Sequence, residues 1–294
     1  MSTAYRISII FVVSLLVLSA CGSVETERIE TDRISVSVSI PPQAYFVERV
    51  AGDLVETNIL VGAGDDPHSY EPTPRQMQSI SNSQVYFSIG VEFEDAWLPR
   101  FTSANKELLI VDTAIDIERM PMEDKHDREN EGVDPHIWLS PKLVKLQVQI
   151  IADTLVALDP ENKPTYQAGL DSFISDIDQL ELAINEQFTP LSFRKFITIH
   201  PSLGYFAKDY NLEMIPVEVE GQEPGAEELS KIIDLARANK ISVIFTQQAF
   251  SSKNAEVLAD EIGARVVVLN PLAYEWMSNM QIIANELEAS MVKN

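Results

Sequence analysis

The chain has 294 residues, 45% of them hydrophobic, which supplies the cores of two moderate lobes and excludes disorder throughout. Its 45 Asp and Glu against 22 Lys and Arg give a net charge of −23, which excludes DNA or RNA as a partner and is compatible with a cationic ligand. The single cysteine, Cys21, excludes an intramolecular disulfide and a cysteine-based metal site.

The first 20 residues read as a signal peptide. Arg6 is the only charge before Cys21, and an uncharged apolar run covers residues 7–18, too short to span a bilayer comfortably. Leu18-Ser19-Ala20-Cys21 resembles the cleavage site of bacterial lipoproteins, in which the cysteine carries the lipid. That resemblance implies a membrane-anchored, extracytoplasmic protein, periplasmic or on the outer cell surface. Residues 21–32 are polar and charged and read as a flexible tether.

Folded sequence begins near Ile34, where Ile34, Val36, Val38 and Ile40 alternate with serines in a strand pattern that Pro41-Pro42 ends. A helix over 43–51, a strand at 55–61, a loop at 62–74, a short helix at 75–81, a strand at 85–89, a helix at 94–102 and a strand at 108–111 follow. The acidic stretch 118–134, which contains His126, is a solvated loop. A helix over 141–158 stops at Asp159-Pro160. The next helix, about 161–187, carries Leu170, Phe173, Ile174, Ile177, Leu180 and Ile184 at helical spacing and would reach roughly 40 Å.

The second half repeats the alternation. Strands are expected at 196–199, 214–219, 243–246 and 265–269, with helices at 203–210, 224–239, 254–262 and 277–288. The pattern predicts an α/β fold of two lobes, each a mostly parallel sheet flanked by helices. The lobes are placed at 33–160 and 191–294, joined by one long rigid helix at 161–190, so small lobe movements are expected; the chain is also expected to be a monomer.

Four histidines are present, and three share a proline neighbour: His68 after Asp66-Pro67, His136 after Asp134-Pro135, and His200 before Pro201. Each falls where a strand or loop meets a helix, and open α/β sheets bind ligands at the carboxyl ends of their strands. Imidazole suits zinc, and a neighbouring proline stiffens the backbone. On residue type and spacing alone, one shared metal site and three separate structural histidines both remain open.

Three segments carry a resemblance. Asp66-Pro67-His68-Ser69-Tyr70-Glu71-Pro72-Thr73-Pro74, Asp134-Pro135-His136-Ile137-Trp138-Leu139-Ser140-Pro141 and His200-Pro201-Ser202-Leu203-Gly204-Tyr205-Phe206 resemble the signature blocks of the zinc and manganese ABC-transporter solute-binding proteins. Gly221-Gln222-Glu223-Pro224 is also similar to that family. The resemblance covers essentially the whole chain after the signal peptide. It implies two α/β lobes joined by a long helix, a divalent metal ion as ligand, and delivery to a membrane permease. It also implies His68, His136 and His200 as metal ligands, and a binding protein rather than an enzyme.

A third imidazole at His200, where manganese-type members place a carboxylate, favours zinc, with manganese or iron as the alternative. The chain departs from the family at Asn270-Pro271-Leu272, where Asp-Pro-Leu is usual, and no aspartate follows Asp260. Water or Glu275 is therefore the expected fourth ligand. Asp66, Tyr70, Asp134 and Tyr205 are candidates to orient the imidazoles by hydrogen bonds. Trp97, Trp138 and Trp276 are expected to pack in or between the lobes, and Gln247-Gln248 to line the cleft. A surface adhesin is a second reading, since family members have been described that way. A zinc hydrolase is a third, although no His-Glu-x-x-His motif is present to support it.

Overall fold

Among the described residues, β-branched and aromatic side chains build eight short strands in two parallel sheets of identical strand order. In the computed structural model, which describes residues 33–62, 64–121, 132–218, 224–248 and 252–291, β1 (Ile34–Val38) lies between β2 (Val55–Ile59) and β3 (Val85–Ser88), with β4 (Leu109–Asp112) outside β3. In the second half β5 (Lys195–Thr198) lies between β6 (Glu213–Pro216) and β7 (Val243–Gln247), with β8 (Arg265–Leu269) outside β7. Residues 1–20, Cys21 and its tether, His126 and Gly221-Gln222-Glu223 lie outside the described residues.

Helices join successive strands: α1 (Pro41–Ala51), α2 (Pro74–Asn82) and α3 (Phe93–Ala104) in the first half, α6 (Gly204–Asp209), α7 (Ala226–Ala238) and α8 (Ser252–Ile262) in the second, with α9 (Trp276–Ser290) last. Between the halves run α4 (Pro141–Leu158) and the 26-residue α5 (Lys163–Phe188). Pro41 and Pro42 do not merely end β1. They form the first turn of α1, where a missing N–H costs nothing and the fixed φ suits a helix. α2 starts one residue earlier than expected, because Thr73 caps it by accepting from Gln76 N.

The long helix is held by its apolar stripe. Tyr166, Leu170, Phe173, Ile177, Leu180, Ile184 and Phe188 are buried, whereas Ile174 packs only at the edge. Salt bridges tie it to its neighbours, Arg49 to Asp176 at 2.6 Å from α1 and Lys145 to Asp178 at 2.8 Å from α4. One hydrophobic cluster runs from β1 and α1 through Trp138 and α5 to Phe206, Phe245 and Trp276. A smaller cluster backs the second sheet at Ile197, Ile244 and Leu258.

Polar contacts also join the two halves. Trp138 Nε1 donates to Pro271 O at 2.9 Å, and Trp276 Nε1 donates to Trp138 O at 2.7 Å. Tyr205 Oη donates to Asp134 O at 2.9 Å. Trp138 and Trp276 thus pack between the lobes, whereas Trp97 sits half-buried beside Phe101 with Arg100 over its ring at 4.3 Å. A shared core and paired indoles oppose wide opening of the lobes.

One buried acid gives the fold a pH dependence. Burial pushes the Glu94 carboxyl from 4.5 up to about 7, against its hydrogen bonds from Ser39, Ile89 N and Gly90 N. A raised folded-state value means full stability below pH 4.5, lost as pH rises through about 7. The loss is of the order of 3 kcal/mol. Urea unfolding of the metal-free protein should show Glu94→Gln gaining stability relative to the native chain between pH 5 and pH 8. Parallel stability curves would contradict this.

Candidate metal centre

His68, His136 and His200 meet at the carboxyl ends of the two sheets. Each offers a nitrogen, and the three ligand atoms lie within 4.8 Å of one another. The ring centroids form a nearly equilateral triangle, with sides of 5.5 Å (His68 to His136), 5.0 Å (His68 to His200) and 5.2 Å (His136 to His200). His68 Nε2 and His200 Nε2 are 3.2 Å apart. Two nitrogens on a tetrahedral zinc, each at about 2.0–2.1 Å, would stand about 3.3 Å apart.

Each imidazole is positioned locally. After β2 the chain turns at Asp66, whose carboxylate accepts from His68 N at 2.9 Å and from Ser69 Oγ at 3.0 Å. Asp134 repeats the device, accepting from His136 N at 2.9 Å. His200 follows β5, whose exit is held by Ile199 N donating to Phe245 O at 2.8 Å.

The opposite ring nitrogens face carboxylates. His68 Nδ1 lies 2.7 Å from Glu92 Oε2, His136 Nδ1 2.7 Å from Asp134 Oδ1, and His200 Nδ1 3.4 Å from Glu218 Oε2. A proton held on Nδ1 by such a carboxylate leaves the Nε2 lone pair free to face the centre. Beside the His136–Asp134 pair, Tyr205 Oη donates to the Asp134 carbonyl at 2.9 Å and accepts from Met120 N at 2.9 Å. Gly204 is needed beside them, since a Cβ there would come within 2.9 Å of Asp134 Oδ2.

Burial separates the three rings. His136 and His200 are each 2% exposed, and the His68 side chain is 20% exposed. Burial lowers the His200 pKa to about 4; the neighbouring His136 and His68 push the same way, against Glu218. Burial also acts to lower His68, but the Glu92 hydrogen bond and the charges of Asp66 and Asp134 outweigh it and raise the value. Glu92 is lowered, because its bond to His68 outweighs its own burial.

Other expected residues are placed differently. Tyr70 Oη donates to Gln76 Oε1 at 2.8 Å, so its hydroxyl serves the α2 cap and not an imidazole. Glu275 is exposed at the start of α9 and is not grouped with the histidines. Asn270 Oδ1 accepts from Leu272 N at 3.1 Å, holding the turn after β8. The two orienting carboxylates that sequence reasoning missed, Glu92 and Glu218, follow β3 and β6, positions that the carboxyl-end rule for parallel sheets would have flagged.

The cleft beside the imidazoles is lined by Pro67, His68, His136, Trp138, Gln247 and Asn270. It offers about 20 Å³, room for about one water-sized sphere. That is room for one water molecule beside an ion held by the imidazoles.

Known proteins share the sequence pattern and the fold of this chain. The family described as zinc-uptake complex component A, periplasmic (ZnuA), matches residues 36–290. A crystal structure of ZnuA superposes with a TM-score of 0.84 at 43% identity, covering 89% of this chain and 100% of that one. The high-affinity zinc uptake system protein ZnuA of Bacillus subtilis (strain 168) is 30% identical over 275 residues, 87% of this chain and 85% of its own. The manganese-binding lipoprotein MntA of Halalkalibacterium halodurans is 25% identical over 264 residues, 88% of this chain and 86% of its own. A family model spanning nearly all the described residues, on a fold with the same two parallel sheets, places this chain in the ZnuA family of metal-uptake solute-binding proteins.

Proposed function

We propose that this chain captures one zinc ion through His68, His136 and His200 and delivers it to an ABC permease for uptake. The observation that carries the reading is the 3.2 Å approach of two Nε2 atoms. Each Nε2 is left as an acceptor by a carboxylate on the other side of its ring, so the pair calls for a cation between. Three neutral imidazoles favour zinc over manganese, which prefers oxygen ligands. Water in the adjoining cleft completes the sphere, since Glu275 stands apart from the cluster. Asp134, Glu92 and Glu218 hold the rings in the ligating tautomer. The family consists of transport binding proteins, and this chain performs no catalysis of its own. Lipid on Cys21 holds the protein, as a monomer, on the outer side of the membrane.

Elemental analysis of the purified protein with competitive zinc and manganese titration tests the reading. One zinc per chain, retained against equimolar manganese, is expected. Absence of bound divalent metal, or displacement of zinc by manganese, would overturn it. Because ligation needs deprotonated imidazoles, calorimetric titration should also show affinity falling at least about tenfold from pH 7.5 to pH 5.5. Equal affinity at both pH values would contradict imidazole ligation.

A further inference from the structure

We infer that Glu94 is a positioning residue for metal capture, acting from inside the core on the turn that presents Glu92 to His68. This rests on the metal reading above and extends it to a residue with no contact to the ion.

Glu94 is 2% exposed and lies in the first turn of α3. A buried carboxylate is costly unless it is fully bonded. Its oxygens accept from Ile89 N at 3.0 Å and Gly90 N at 2.7 Å, and Ser39 Oγ donates to it. Those two amides belong to the turn that leaves β3, in which Gly90 takes a left-handed φ of +83°. Arg119 holds the same turn by its carbonyls, with Nη2 donating to Ile89 O at 2.7 Å and Nη1 to Gly90 O at 3.2 Å. Both faces of the turn are therefore fixed, and two residues beyond Gly90, past the buried Val91, stands Glu92, 2.7 Å from His68 Nδ1.

The other end of that hydrogen bond is tied to the same point. Ser39 O accepts from Val61 N at 2.9 Å, at the exit of β2 from which the chain runs on to His68. Ser39, wholly buried, thus binds the His68 segment by its carbonyl and Glu94 by its hydroxyl. Glu94 and Ser39 set the separation of the two loops that meet in the His68–Glu92 pair. His68 is the most exposed of the three imidazoles and has the greatest need of such support.

A double-mutant cycle on the full chain separates positioning from plain stabilisation. Zinc affinity is measured by competition with a chromophoric chelator for the native chain, Glu92→Gln, Glu94→Gln and the double variant. Glu92→Gln should weaken zinc about tenfold, as loss of an outer partner of a metal-bound histidine does. Glu94→Gln should weaken it roughly three- to tenfold, and the double variant should match Glu92→Gln alone within twofold. Unchanged affinity in Glu94→Gln would overturn the proposal, as would multiplicative losses in the double variant. If Glu94→Gln does not fold, Arg119→Ala, which releases the same turn from its partly exposed side, replaces it in the cycle with the same two outcomes deciding. Failure of the native chain to bind zinc would instead sink the metal reading itself.

Discussion

Replacing His136 with alanine should lower zinc affinity by two to three orders of magnitude. A structural zinc site is worth about 10–16 kcal/mol, so one of four ligands carries roughly 3–4 kcal/mol, and each 1.4 kcal/mol is tenfold. His136 should lie at the upper end. It is 2% exposed, its Nδ1 is held 2.7 Å from Asp134, and Trp138 packs at 5.1 Å between ring centroids. Its removal also leaves the buried Asp134 carboxylate beside an unfilled space, and water in that space is a weaker ligand than a preorganised imidazole. Asp134→Asn should cost less, about 10–100-fold, because it disturbs only the orientation of the ring. Competition titration reads both. A loss below tenfold in His136→Ala would remove that residue from the site.

Gly169→Ala should destabilise the fold by about 3 kcal/mol or more, against what helix propensity alone predicts. In a helix interior, alanine is favoured over glycine by about 1 kcal/mol. Here the helix α5 lies backbone to backbone against α1. A Cβ on Gly169 would come within 2.2 Å of Val50 O, 2.8 Å of Val50 C and 3.0 Å of Arg49 O. These are main-chain atoms and cannot rotate away, so α1 must shift. That movement would strain the Arg49–Asp176 bridge and the contacts of Phe46 with Phe173 and Trp276. At about 2–4 °C per kcal/mol for a chain of this size, the midpoint should fall by roughly 6–12 °C. An unchanged or higher midpoint would show that the two helices have room to part.

The elements that depend on local pattern were legible in the sequence. Alternation at Ile34, Val36 and Val38 marked β1, and the stripe from Leu170 to Ile184 marked the long helix. The three histidines that converge stood out by their proline neighbours, although spacing alone could not join them. Glu92 and Glu218 were missed: the carboxyl-end rule marks their loops, but in a chain with 45 acidic residues it does not choose among the acids found there. Their proximity to His68 and His200 comes from tertiary placement of the loops after β3 and β6. Tyr70 stood beside a histidine and looked like its support, yet Gln76 on the next helix takes its hydroxyl. Glu275 was a plausible ligand by chemistry, but it ends in solvent where α9 begins. Side-chain direction, which sequence proximity does not encode, decided both cases.

One cation is expected where His68, His136 and His200 converge. Diffraction at the zinc absorption edge from crystals of the zinc-loaded chain tests it most directly. A single anomalous peak should stand about 2.0–2.1 Å from Nε2 of all three histidines, with the fourth position open to the cleft. A peak bonded to two or fewer of these imidazoles, or placed elsewhere on the chain, would contradict it.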